Sequence, residues 1–492
     1  MRQTNKIRKG IAWLLCTVLV LGILPMLPQM SMQISAAENA ASVFVDGVEL
    51  HAGGQEYFKN GDTAVSGATG TYEDHSAYYD TAGELWLNNL EAHTIKADGN
   101  LIIYVCNNQE TNTNIVTATQ NETAIEVTGY LTIRYGGYGG GTGSLTVESD
   151  GKEAIQAGSG MTVSDGVEVK ARAKSGATAI SSGGVLKIDG IRTKLEAAGD
   201  GSTGKGIFAQ QSIYVKNSAV LTAFGGAAAY ESPSGIDKSG YGYEDYNVFT
   251  GDAAPGTQAA KDTVLDGYKY IRIEPTGVAN VKTLTELQAA AQNQYISLIN
   301  VMNDITITDT VYVRRAVTIQ SPDASNVSKL IRGKSHTDVI LDFDGANGHK
   351  SDVVTLKNII VDGNKDGNTQ TASPALKSKS ILVNLESGTV IENNHAKEGA
   401  AIYVNHYSTV TMKEGSEIRN NVSESDGTVY VIGNGGYFEM AGGTISGNTV
   451  AGNGGGIYEF GGGSARMTGG TISGNTAKGN GGGVYKVERL YG

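Results

Sequence analysis

Cysteine is nearly absent: there are two in 492 residues, and Cys16 falls inside the apolar run that opens the chain. Arg2, Lys6, Arg8 and Lys9 precede that run, Ile11 to Leu27, and the small residues Ser35, Ala36 and Ala37 follow it, so residues 1–37 are read as a secretory signal peptide that is removed. Cys106 is then the only thiol of the mature chain, which excludes an intramolecular disulfide in an exported protein. No second long apolar run follows, so stable membrane insertion of the mature chain is not expected. Basic residues are also short. The signal carries four of the 38 Lys and Arg and none of the 50 Asp and Glu, leaving 34 − 50 = −16, a balance that excludes nucleic acid as partner. Proline numbers only 7, against 68 glycines with no Gly-X-Y period, so collagen is excluded and the glycines punctuate short strands.

Repetition is plentiful. "GGTISGNTVAGNGGGIY" at 442–458 returns 27 residues later as "GGTISGNTAKGNGGGVY", and the skeleton is present twice more, from 388 and 415. Ile391, Ile418, Ile445 and Ile472 recur at steps of 27, as do Asn394, Asn421, Asn448 and Asn475; Tyr403, Tyr430, Tyr458 and Tyr485 step by 27, 28 and 27. Each period holds apolar pieces too short for helices. Three short strands per period, each pairing with its equivalent about 4.8 Å away, describe a right-handed parallel β-helix. The Ile would stack inside, and the four Asn would form a structural ladder at the corner.

A looser repeat fills the first half: Ile95 with Leu101, Ile125 with Leu131, Ile155 with Met161, Ile180 with Leu186 and Ile207 with Ile213, at steps of 30, 30, 25 and 27. A β-sandwich also has many short strands but needs no fixed internal offset. The expected fold is therefore all-β, with two right-handed parallel β-helix arrays. Its parts are an irregular or β-rich entry region (38–84), a first β-helix (85–226), a linker with "YKYIRIEP" as closing strand (227–280), and a second β-helix (281–492). In "TLTELQAAAQN", Thr283 and Glu286 make a capping box for a short helix that caps the second array. The array ends in mid-rung at "VYKVERLYG", so the chain is read as part of a longer protein.

The "GGTISGN…GGGIY" units resemble those of secreted, adhesin-like β-helix surface proteins of Gram-positive anaerobes. The cap helix followed by "VVTLKNIIVDGN" resembles the pectin-lyase-like superfamily, and "YYDTAGELWLNNL" with the following rungs resembles carbohydrate-binding β-helix domains of secreted clostridial proteins. The resemblance implies a solenoid fold; its functions range over lyases, hydrolases and proteins without activity.

Two groups of residues could carry chemistry. In "DVILDFDG", Val339, Leu341 and Phe343 alternate with Asp338, Asp342 and Asp344; one rung on, "VDGNKDGN" adds Asp362, Asn364 and Asp366. Stacked together, Asp342, Asp344, Asp362, Asn364 and Asp366 could hold Ca2+ and bridge an acidic polysaccharide, with Arg314, Arg315 or Arg332 as basic partners. D-x-N-x-D-G also begins an EF-hand loop, but its twelfth position is Ser373 rather than Glu. Tyr241, Tyr243, Tyr246 and Phe249, with Tyr79 and Trp86 as a second patch, could stack on sugars. No catalytic set is assigned and no cofactor is required. The expectation is a monomeric, secreted or cell-surface adhesin-like protein that binds polysaccharide or glycoprotein glycans without catalysis. The alternatives are a polysaccharide lyase or glycoside hydrolase acting on acidic polymers, and a structural stalk.

Overall fold

Ile95, Ile125, Ile155, Ile180 and Ile207 stand one above another in parallel register, each fully buried. Leu101, Leu131, Met161, Leu186 and Ile213 do the same in a second sheet, and Leu145, Val169, Leu195 and Leu221 in a third. Strand alternation sends every second side chain inward, and stacking turns those positions into continuous apolar columns. The structure is a computed structural model that describes residues 39–487 apart from 53–55, 62, 64–75, 107–112, 120, 138–141, 243, 346–350, 369 and 434. The segment read as a signal peptide lies outside the described residues. Among the described residues the fold is a nearly all-β parallel solenoid of about 14 turns with one short α-helix.

The first turn is covered by the hairpin Ser42–Val45 and Val48–His51, whose first strand pairs antiparallel with Ile95–Ala97. Asp46 (φ 50°) and Gly47 (φ 79°) are both left-handed, as a two-residue D-G hairpin turn requires. The antiparallel strand ends the parallel stack at that edge.

The strand at the centre of the molecule differs from the expected closing strand. Tyr270–Val281 belongs to both coils. Its first half pairs antiparallel with Val220–Gly225 of the first coil (Leu221 opposite Ile273, Ala223 opposite Ile271). Its second half pairs parallel with Leu298–Val301 of the second. The strands of the second coil therefore run opposite to those of the first within one shared 16-stranded sheet. The interior divides here, one apolar cluster ending at Ile273 and the next beginning at Ala279. Sequence periodicity lapses at this point because Glu244–Gly251 and Thr257–Ala259 form an antiparallel hairpin on the same strand.

Beside the joint, Glu244 is buried. Its Oε2 accepts from Ser218 Oγ (2.8 Å) and its Oε1 from Asn293 Nδ2 (3.0 Å), which ties a corner of the first coil to the end of the helix. The helix Leu284–Gln292 has the expected capping box: Glu286 N donates to Thr283 Oγ1 and Thr283 N to Glu286 Oε2. Leu287, Ala290 and Ala291 enter the second core. Arg315 closes the other end by donating to the Ala290 and Ala291 carbonyls (2.8 and 3.1 Å), where the helix leaves acceptors unpaired.

In the second coil Ile391, Ile418, Ile445 and Ile472 are in register, and beside them runs the Asn ladder. The backbone N and Nδ2 of Asn394 both donate to Asn421 Oδ1 at 3.0 Å, Asn421 likewise to Asn448 (2.9 and 3.0 Å), and Asn448 to Asn475 (3.0 and 2.8 Å). The residue before each ladder Asn is left-handed: Asn393, Asn420, Gly447 and Gly474, with φ from 56° to 65°. Only Gly, or Asn with its short polar side chain, takes that corner readily.

Candidate functional site

The second aromatic patch is corrected by strand parity. Tyr79 is fully buried, and its hydroxyl donates to the Ala40 carbonyl at 2.5 Å; burial, helped by Asp80, pushes its pKa up to about 12. It cannot meet a sugar. The outward residue is Tyr78, which stands opposite Trp86. Trp86 stacks on Tyr104 with centroids 4.1 Å apart and 11° between planes, Tyr57 stacks on Tyr78 at 4.9 Å, and the Arg134 guanidinium lies 4.5 Å over Tyr104. An outward column of Tyr57, Tyr78, Trp86, Tyr104 and Arg134 results.

The first patch does not form one surface. Tyr241 is only 2 % exposed, its hydroxyl donating to the Ala219 carbonyl, and Tyr246 stacks on it at 4.8 Å. Tyr241 is thus core, held there by apolar contact and a satisfied hydroxyl. Tyr246 and Phe249 lie an odd number of residues apart on the strand Glu244–Gly251, so they face opposite sides. Phe249 lies beneath Arg272 at 5.8 Å. Tyr243 lies outside the described residues.

The acidic candidates are divided between two sheets. Asp342 and Asp344 sit on Leu341–Asp344, whose sheet continues to Lys377 and Lys379; Asp362 sits on Ile360–Asp362, in a different sheet. Val339 precedes the strand half-exposed, and Ile340 takes the inward place. Asp344 pairs with Arg314 (3.7 Å) and Lys379 (3.6 Å). Asp362 and its register neighbour Glu392 share Lys329, at 3.4 and 3.3 Å. Burial raises the Asp342 pKa, against the pull of nearby Lys377. Asn364 turns its backbone N–H onto Asp362 Oδ1 (2.8 Å) and its Nδ2 onto the Arg332 carbonyl (3.0 Å), while Asp366 is exposed beside Lys365. Among the described residues no group of three or more His, Cys, Asp and Glu stands where it could hold a metal ion. Two of the three basic partners are also structural. Arg315 serves the helix end, and Arg332 is 1 % exposed, donating to the Ser373 and Pro374 carbonyls; burial lowers both guanidinium pKa values to about 10.

A second outward column is formed by residues known from the sequence only as landmarks. Tyr403, Tyr430, Tyr458 and Tyr485 are register partners with centroids 5.3, 5.1 and 5.9 Å apart. The flanking Ile402 and Val404 point inward, and that alternation was the available signal that the tyrosines point outward. Gly427 (φ 63°) lies so close that a Cβ there would stand 2.8 Å from Tyr458 Cβ, so the loop fits against the ring only as glycine. At the column's first ring a cavity of about 350 Å³ opens, lined by Tyr403, Lys377, Lys397, Glu398 and Asn405 with Val339, Ala372, Ser373 and Pro374.

Residues 278–418 match the family model of the pectate lyase-like adhesive domain. Comparisons with curated proteins and with solved structures give no match. Among the described residues no helix is long and apolar enough to cross a membrane.

Proposed function

We propose that this chain is an extracellular, adhesin-like β-helix protein that binds polysaccharide or glycoprotein glycans at the cell surface and performs no catalysis on them. The observation that carries the reading is the match of residues 278–418 to an adhesive domain, on a solenoid whose rungs hold side chains in fixed outward columns. Support for binding over cleavage comes from the acids. Asp344, Asp362 and Glu392 are each matched to a cation, and the two candidate groups lie on separate sheets rather than across one cleft. Support for glycans comes from the outward rings that reach solvent, Tyr78, Trp86, Tyr104 and Tyr403, since aromatic rings pack against the C–H surfaces of sugars.

The test is retention of the full chain on immobilised acidic and neutral polysaccharides, with and without Ca2+, read together with the size of the polymers left in solution. Retention without shortening is expected. Shortening of any polymer would overturn the non-catalytic reading, and absence of retention on every polymer and mucin glycan would overturn the binding one.

A further inference from the structure

Within an aromatic column the rings face one another, and the interior rings Tyr430 and Tyr458 are each only 6 % exposed. A face is open only where a column ends. Tyr403 is such an end: Tyr430 covers one face at 5.3 Å and 4°, and the register neighbour on the other side is Lys377 rather than another ring. That end opens into the cavity described above.

The charges lining the cavity are arranged unlike those beside it. Lys379 is held by Asp344 at 3.6 Å, whereas Lys377, two residues earlier on the same strand, lies beside its register neighbour Asp342 without closing to 4 Å, and Lys397 has no carboxylate within 4 Å among the described residues. Lys377 is the register neighbour of Tyr403, so its ammonium and the ring share one outward column. Glu398 and Asn405 add an acceptor and a mixed donor–acceptor for hydroxyl groups, and Val339, Ala372 and Pro374 supply an apolar wall. The cavity thus sets two ammoniums against the one carboxylate of Glu398.

We infer that this cavity binds a single sugar unit bearing an anionic group, a carboxylate or a sulfate. The pyranose face lies on Tyr403, the anion meets the Lys377 and Lys397 ammoniums, and ring hydroxyls meet Glu398 and Asn405. The inference deepens the glycan-binding reading and rests on it. All of the lining residues fall within the segment 278–418.

The experiment measures binding of the full chain to three labelled probes by fluorescence anisotropy: a short oligoglucuronate, a sulfated oligosaccharide, and a neutral cello-oligosaccharide. At low salt one or both anionic probes are expected to bind about tenfold or more tightly than the neutral one. The relative strength of the two anionic arms says which anion fits. Replacing Lys377 and Lys397 together by Gln should erase the difference, and added salt should reduce it. Tyr403→Ala should weaken binding of the preferred probe about tenfold, and a matching thermal melt shows whether the variant is folded; if it is not, the lysine pair decides. Equal affinity for neutral and anionic probes, or a preference that survives the double Gln variant, overturns this inference while leaving glycan binding intact. If the chain binds none of these probes yet is retained on other polysaccharides, the inference alone falls; if it is retained on none, both fall.

Discussion

In the first coil, equivalent isoleucines are separated by 25 to 30 residues, and register is kept by inward apolar side chains together with exposed ion pairs such as Arg172 with Asp200 (2.8 Å). In the last rungs of the second coil the isoleucine spacing is 27, and a further column appears, the amides of Asn394 to Asn475 inside the corner. The difference shows what constant rung length allows. A loop of variable length can return the chain to the same apolar position, because hydrophobic contact tolerates small displacements. An amide ladder tolerates far less: its hydrogen bonds need about 2.9 Å and a fixed direction at every rung, so the corner must repeat residue for residue.

The comparison can be broken at its strongest point by Asn421→Ala. This removes the acceptor of the Asn394 backbone N–H and the side-chain donor to the Ile391 carbonyl in a fully buried corner, while Asn394 Nδ2 keeps the Glu392 carbonyl and Asn448 Oδ1 keeps the Asn421 backbone N–H. At about 1–3 kcal/mol for a buried group left without its partner, a loss of about 2–4 kcal/mol is expected in urea unfolding. Asn475→Ala, at a half-exposed rung where water can substitute, should cost about 1 kcal/mol. Equal losses would mean that the ladder adds nothing beyond local packing.

A middle-sized effect is expected at the joint. Burial raises the Glu244 pKa, with the Ser218 and Asn293 hydrogen bonds opposing. Between its unfolded and folded pKa values the native state holds the extra proton, so Glu244 contributes stability at acid pH that is lost as pH rises through the folded value. Glu244→Gln keeps a neutral amide in place. Its melting temperature relative to the parent should therefore rise from acid pH toward neutrality, and a flat difference would remove Glu244 from the account. The smallest effect is Arg172→Ala in the first coil: the side chain is 54 % exposed, and the loss should stay at or below about 1 kcal/mol and vanish in high salt.

Much of the fold was legible because period and parity are local properties. All five apolar pairs of the first coil, from Ile95 with Leu101 to Ile207 with Ile213, the capping box at Thr283 and the Asn ladder follow from spacing alone. The site was less legible for the same reason. Parity errs by one residue when a strand's start is misplaced, which put Tyr79 outside and left Tyr78 unnoticed. Asp342 and Asp362 are about one rung apart in sequence, yet spacing does not say which sheet of the coil a strand joins. Arg315 and Arg332 carry charge in the sequence, but their partners are backbone carbonyls, which no side-chain pattern reveals. The reversal of strand direction at Tyr270–Val281 has no periodic signature at all.

The near-identity of residues 442–458 and 469–485 has a consequence for how such a molecule changes over generations. Because each copy presents to its successor the surface that its predecessor presented to it, a duplicated rung finds both new contacts already complementary. Gene duplication can therefore lengthen the molecule by about 4.8 Å per copy while leaving its outward chemistry unchanged, and reach becomes a trait that is counted rather than redesigned.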